Sequence, residues 1–216
     1  MNGTGQSLLP LMTTVALVGA IPLLVVVATS FTKVSVVLLI LRNAIGIQQT
    51  PPNMVIYAIA IVLSFNIMNP VLQKSFAQVG AQDFSFRNLT DLQANAEVAA
   101  GPIKKFLADH STPASRDFFL RNTPKAGPQG PAPADLSVLV PAFLLDELTR
   151  AFEIGLMLYL PCLALDLLVS AVLIAMGMQM MSPPLISTPL KILLFVVVSG
   201  WTRLFENLVL SYQAAP

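Results

Sequence analysis

A single cysteine, a single histidine and charged side chains at only 11% of 216 residues remove several classes of function before any motif is read. Cys162 has no second thiol in the chain, which excludes an internal disulfide and a cysteine-rich metal site. Soluble domains carry about 25% charged residues. A chain that is 55% apolar and 11% charged therefore falls in the membrane or membrane-associated class. A basic excess is missing too: 12 Lys plus Arg stand against 11 Asp plus Glu, so the electrostatic footprint of a nucleic-acid binder is absent. No Lys or Arg precedes Lys33. A secretory signal peptide needs a basic stretch before its apolar run, so the N-terminal segment is expected to be retained.

The scarcity extends to catalysis. His110 lies between Asp109 and Ser111 with no nucleophile or further ligands spaced to serve it, and a solvated histidine is expected. Cys162 follows Pro161 inside an apolar run and reads as a buried, inert thiol. An intramembrane protease needs a Ser/His pair, paired aspartates in apolar segments or a His-Glu-x-x-His helix, and the sequence offers none of them. No enzyme activity, catalytic residue, cofactor or metal site is expected.

What is present is apolar sequence in four segments. The first runs from about Leu8 to Thr32 without a charge, long enough to span a bilayer, with a kink predicted at Pro22. It continues as a helix from Lys33 to Leu41 and ends at Arg42-Asn43, before a turn over Gly46 to Pro52. The second runs from Met54 to about Leu72, where Asn66, Asn69 and Pro70 crowd its end. Amides in lipid need partners, so that end is expected to face protein. Residues 73–138 form a polar insertion, read as helical and water-facing. Leu89, Leu92, Ala96, Ala99, Ile103 and Phe106 step by three and four along it. Gly101-Pro102 is expected to bend or break that helix, and Pro124 to Pro133 reads as an exposed loop.

The third segment begins near Leu139 and continues to Ala175, interrupted by Asp166. The fourth carries Lys191, Arg203 and Glu206, and the apolar stretch between its cations gives a helix of only about 16 Å against a hydrocarbon core of about 30 Å. It reads as a poor span. The expected domains are a first helical hairpin over 1–72, the insertion over 73–138 and a second hairpin over 139–216. Lys33 and Arg42 flank the first connection; the positive-inside rule then puts that connection in the cytoplasm and both termini and the insertion outside.

Three features carry candidate function. Asp166 and Lys191 are ionisable groups in apolar segments, costly unless paired or hydrated, and are expected to form a structural ion pair. Asp146, Glu147 and Glu153 fall three or four residues from Arg150, within helical reach of it, and read as an ion-pair cluster at a subunit contact. Met176, Met178, Met180 and Met181 crowd one turn that closes on Pro183 and Pro184. Thioethers are flexible and polarizable, so the turn has a soft apolar tip. A pore-forming scaffold and a proton-coupled small-solute transporter using Asp166 both fit these residues. Matching inverted halves with broken helices are not visible, which weighs against a repeat-type transporter.

Several stretches taken in order are more specific. Thr29-Ser30-Phe31-Thr32-Lys33 leads into Leu41-Arg42-Asn43-Ala44-Ile45-Gly46-Ile47-Gln48-Gln49-Thr50-Pro51-Pro52-Asn53. Val140-Pro141-Ala142-Phe143, Asp146-Glu147-Leu148, Ala151-Phe152-Glu153-Ile154-Gly155 and Leu160-Pro161 follow. Asp166-Leu167, Gly177-Met178, Ser187-Thr188-Pro189-Leu190-Lys191 and Gly200-Trp201 complete the series. The series resembles the R subunit of type III secretion export gates, the family that includes the flagellar protein FliP. The resemblance implies an all-α membrane-associated protein of two long kinked helical hairpins in a cone-shaped helical oligomer. It implies a pentamer that joins S-type and T-type subunits in the bacterial inner membrane, partly on the periplasmic side, and passes unfolded proteins. It further implies a methionine gasket, which falls here on Met178, Met180 and Met181; Gln179 departs from the family's uninterrupted Met run. The acid-base pair of the family's last two segments matches Asp166 and Lys191. Flagellar members usually have Asp before Gly-Trp and a cleavable signal sequence. Ser199 and the uncharged N-terminal segment therefore point to the injectisome branch.

Overall fold

Helix α1 (Phe31–Ile45) shows why this chain is organised around its interior cations and its glycine stops. Val34, Val37, Leu38, Leu41, Ala44 and Ile45 are all buried, a stripe at three- and four-residue steps that faces the core. Gly46 ends the helix at φ 88°, a left-handed conformation that only glycine adopts without steric cost. The Gly46 amide donates to the Asn43 carbonyl at 3.1 Å and the Ile47 amide to the Arg42 carbonyl at 3.3 Å, which closes the helix end in a Schellman motif. The helix thus runs a little past the Arg42-Asn43 end read from the sequence. The computed structural model describes Gly19, Leu23 and residues 26–47, 50–80, 89–124, 131–178 and 180–213. Most of the expected first span, with its kink at Pro22, and Gln179 lie outside the described residues.

Six further helices follow: α2 (Asn53–Gly80), α3 (Leu89–Asp109), α4 (Pro113–Asn122), α5 (Leu136–Ala175), α6 (Pro184–Val197) and α7 (Gly200–Gln213). Among the described residues there is no strand, so the all-α class holds. Arg42 Nη1 donates to the Pro51 carbonyl at 3.3 Å and to Asn53 Oδ1 at 2.5 Å, tying the end of α1 to the start of α2. Helix α2 continues through Pro70 to Gly80, past the expected end near Leu72. Asn66, Asn69 and Pro70 are all on its exposed side, so the carbonyl that Pro70 leaves without an amide is not sealed in the core.

Helix α3 runs unbroken through Gly101-Pro102, against the expected break. The clash that drives a residue before proline out of the helix involves its Cβ, and Gly101 has none. Ile103 packs against the core and Phe106 and Leu107 are buried within it; the side chains of Leu89, Leu92 and Ala96 lie outside the described residues. Thr112 caps α4, its Oγ1 accepting the Ser115 amide at 3.2 Å, with Pro113 in the first turn.

Helix α5 is the longest element at 40 residues, with Pro141 and Pro161 inside it. At 1.5 Å per residue it extends about 60 Å, twice a hydrocarbon core of about 30 Å. Its N-terminal part is buried through Leu139, Phe143, Glu147 and Ala151, while Leu160, Leu163, Leu167 and Leu168 lie exposed. Helix α1 packs most extensively on α5, so the core joins the two halves of the chain. Among the described residues, α2 over Asn53–Gln78 and α5 are long and apolar enough to cross a membrane. Helices α6 and α7 qualify only as a pair, bent by 62° at a short break, which agrees with the reading of the fourth segment as a poor span.

Candidate functional site

The methionine turn is built by its two ends. Gly177, at φ 74°, lets α5 stop, and the amides of Gly177 and Met178 donate to the carbonyls of Ile174 and Leu173 at 3.0 and 2.9 Å, a second Schellman closure. The Met181 amide then donates to the Met178 carbonyl at 3.2 Å. Pro184 opens α6 at its first position, where its missing amide costs nothing. The side chains project outward: Met176 is 67% exposed, Met178 37%, Met181 39%, and Met180 fully so.

Asp166 lies about 14 Å along α5 from its last residue and Lys191 about 10 Å along α6 from its first, by helical rise. Lys191 Nζ donates to Asp166 Oδ2 at 2.6 Å and to the Ala44 carbonyl at 3.1 Å, and is itself buried. Ala44 belongs to the last turn of α1, whose carbonyls have no intrahelical donor. One ammonium therefore joins three helices and complements the negative end of α1. Beside it, a Cβ on Gly46 would come within 2.9 Å of Thr188 Oγ1, so α6 lies directly on the α1 cap. Spacing gave the acid-base pair; the bond to Ala44 has no local signal in sequence.

The four charges near Arg150 divide between two sites and the surface. Glu147 Oε1 stands 3.7 Å from Arg150 Nη1 and 3.6 Å from Lys33 Nζ, while Tyr212 donates its hydroxyl to Glu147 Oε2. Lys33 Nζ also lies 3.6 Å over the Tyr212 ring, a cation–π contact. Glu147 is 0% exposed and Lys33 1%. Asp146 points elsewhere. Its Oδ2 accepts the Thr112 amide at 2.5 Å and its Oδ1 the Ser115 hydroxyl at 2.6 Å, which fastens α4 to α5. Glu153 is exposed and Arg150 half-buried. Asp146 and Glu147 thus make their contacts inside this subunit, Arg150 stands half-buried beside Glu147, and Glu153 makes no ion pair among the described residues.

His110 is a correction: it is 5% exposed, not solvated. Its Nδ1 lies 2.8 Å from the Phe106 carbonyl and its Nε2 3.3 Å from the Tyr212 carbonyl, and its ring packs on Phe106 and Tyr212. The polar flanks that suggested solvent belong to the end of α3, which α7 covers. Cys162 is half-buried rather than buried, because it borders a cleft beside α6 and α7. Among the described residues no group of three His, Cys, Asp or Glu side chains converges.

Relatives match this sequence over most of its length. Probable translocation protein y4yL of Sinorhizobium fredii is 41% identical over 216 residues, 98% of this chain and 97% of its own. Yop proteins translocation protein R of Yersinia pestis is 43% identical over 201 residues, covering 91% of this chain and 93% of its own. Harpin secretion protein HrcR of Erwinia amylovora is 42% identical over 199 residues, at 89% and 90%. The sequence profile of the FliP family covers residues 11–208. With a match across nearly the whole length and relatives above two-fifths identity, the chain belongs to the FliP family.

Proposed function

We propose that this chain is a pore-forming core subunit of the export gate of a bacterial type III secretion system, of the injectisome branch. It conducts unfolded proteins across the inner membrane and is a structural component without enzymatic chemistry. Five copies join S-type and T-type subunits, with part of the assembly on the periplasmic side. Full-length relatives named for Yop translocation and harpin secretion support the system, as does Ser199 at the position before Gly-Trp. The observation that carries the pore reading is the methionine turn, an apolar tip exposed beyond a hairpin that Asp166, Lys191 and Ala44 pin in place.

Five such tips around one axis close a hole by softness, since unbranched thioethers repack around variable shapes without fixed geometry. The closed ring excludes small ions, and an extended chain parts it. The test replaces Met178, Met180 and Met181 together with Ala and measures ion conductance of membranes containing the assembled gate. Conductance through the closed gate should rise while assembly persists; unchanged conductance in an assembled triple variant sinks the gasket role.

A further inference from the structure

Away from the methionine turn, α5, α6 and α7 enclose a cleft of about 430 Å³ closed at one side by the end of α1. Its walls are apolar, formed among others by Met157, Pro161, Leu194 and Phe195. Two polar side chains of α7, Arg203 and Asn207, also line it. They stand one helical turn apart and so share a face, and both are exposed. Neither side chain makes a hydrogen bond or ion pair among the described residues. Glu206 is also exposed on α7 but does not line the cleft. The other charge in the lining, Lys191, is already held by Asp166 and Ala44.

We propose that this cleft binds one anionic phospholipid of the surrounding bilayer, its acyl chain between α5 and α6 and its phosphate on Arg203 and Asn207. The helices that frame the cleft are long and apolar enough to cross a membrane, α5 by itself and α6 with α7 only as a bent pair, which puts acyl chains within reach of it. An unpaired guanidinium beside apolar walls matches an anionic headgroup above a hydrocarbon tail, because planar Arg pairs with phosphate bidentately. Basic sites between membrane helices recognise anionic headgroups in this way.

Cys162, the only cysteine, also lines the cleft and reports its occupancy. The full chain is purified in mild detergent, and the rate of Cys162 alkylation is measured with phosphatidylglycerol or phosphatidylcholine added at equal mole fraction. Both lipids carry a phosphate, but the choline ammonium of phosphatidylcholine cancels the net charge that Arg203 attracts, so phosphatidylglycerol should slow alkylation roughly tenfold more, the scale of one charge-assisted hydrogen bond. Arg203→Gln should abolish the difference and Arg203→Lys should keep most of it. Leu194→Trp, which fills the cleft, should protect Cys162 without lipid. Equal protection by both lipids, or a preference that survives Arg203→Gln, overturns the proposal. Protection that rises with protein concentration and ignores lipid overturns it as well, since a second copy then covers the cleft.

Discussion

Lys33 and Glu147 are among the least accessible side chains in the subunit, and both are charged residues in apolar surroundings. Burying two ions is costly, and their attraction offsets that cost only when further polar contacts complete the site. Here Arg150 and the Tyr212 hydroxyl and ring add such contacts, although Glu147 Oε1 faces its two cations at 3.6 and 3.7 Å without a hydrogen bond. Removing one partner strands the other. Glu147→Ala should lower stability by about 3–5 kcal/mol, the range for breaking a buried pair. The double replacement Lys33→Met with Glu147→Leu should recover most of that loss, because the one charge it leaves without its partner, Arg150, is half-buried and reaches solvent. Thermal unfolding of the purified subunit in detergent measures both; losses that simply add would mean the two side chains are not coupled. Part of this site was legible. Glu147 and Arg150 follow from helical spacing, whereas Lys33, read from the sequence as a flank of the first connection, is buried inside α1 instead. Tyr212 was not legible, because it reaches the site through a contact between distant parts of the chain that no local pattern encodes, and neither was His110, which packs against Tyr212.

Among elements, the α1–α5 crossing depends on Gly155. A Cβ there would lie 2.5 Å from Ile40 Cδ1, 2.9 Å from Cγ2 and 3.2 Å from Cβ. The Cβ is fixed to the backbone and Cγ2 moves only by turning the stiff χ1 of a helical isoleucine, so either the helices part or Ile40 leaves its rotamer. Two effects of Gly155→Ala oppose each other. Ala is the better helix former by roughly 0.5–1 kcal/mol, whereas overpacking a close contact costs about 1–3 kcal/mol. The second should win, so Gly155→Ala destabilises and Ile40→Ala in the same chain restores stability. A stabilised single variant, read by the same thermal unfolding, would show that the crossing has slack. The elements themselves were largely legible, since their apolar runs and glycine stops are local. The misses have local causes as well: Gly101 spares α3 the clash expected at Pro102, and α2 runs on because its proline is on the outside. The pairing of α1 with α5 was not legible, since a stripe of Val and Leu says that a face is buried but not against what.

At the scale of the whole molecule, the exposed surface is what remains unexplained by a single copy. Leu145, Phe152, Leu156, Met157, Leu163, Leu167 and Leu168 on α5, and Leu193, Val196 and Val197 on α6, are large apolar side chains outside any core. Apolar patches of this kind mark membrane or protein contacts. Lipid can account for only part of them, because α5 at about 60 Å is twice the length that the hydrocarbon accommodates. The remainder of its apolar side needs protein, which is what a ring of copies joined by partner subunits provides. Two consequences follow for the purified material. Expressed with S-type and T-type subunits, the chain should be recovered in a complex whose native mass fits five copies plus the partners. Expressed alone, it should form oligomers, with Phe152→Glu and Leu156→Glu shifting it toward monomer while leaving helix content unchanged. The two positions stand one helical turn apart on an exposed face of α5, with Leu156 three residues from the exposed Glu153. Native mass spectrometry reads every species in one experiment. A chain that stays monomeric in every mild detergent, with or without its partners, would place the whole apolar surface in lipid and remove the multi-copy pore.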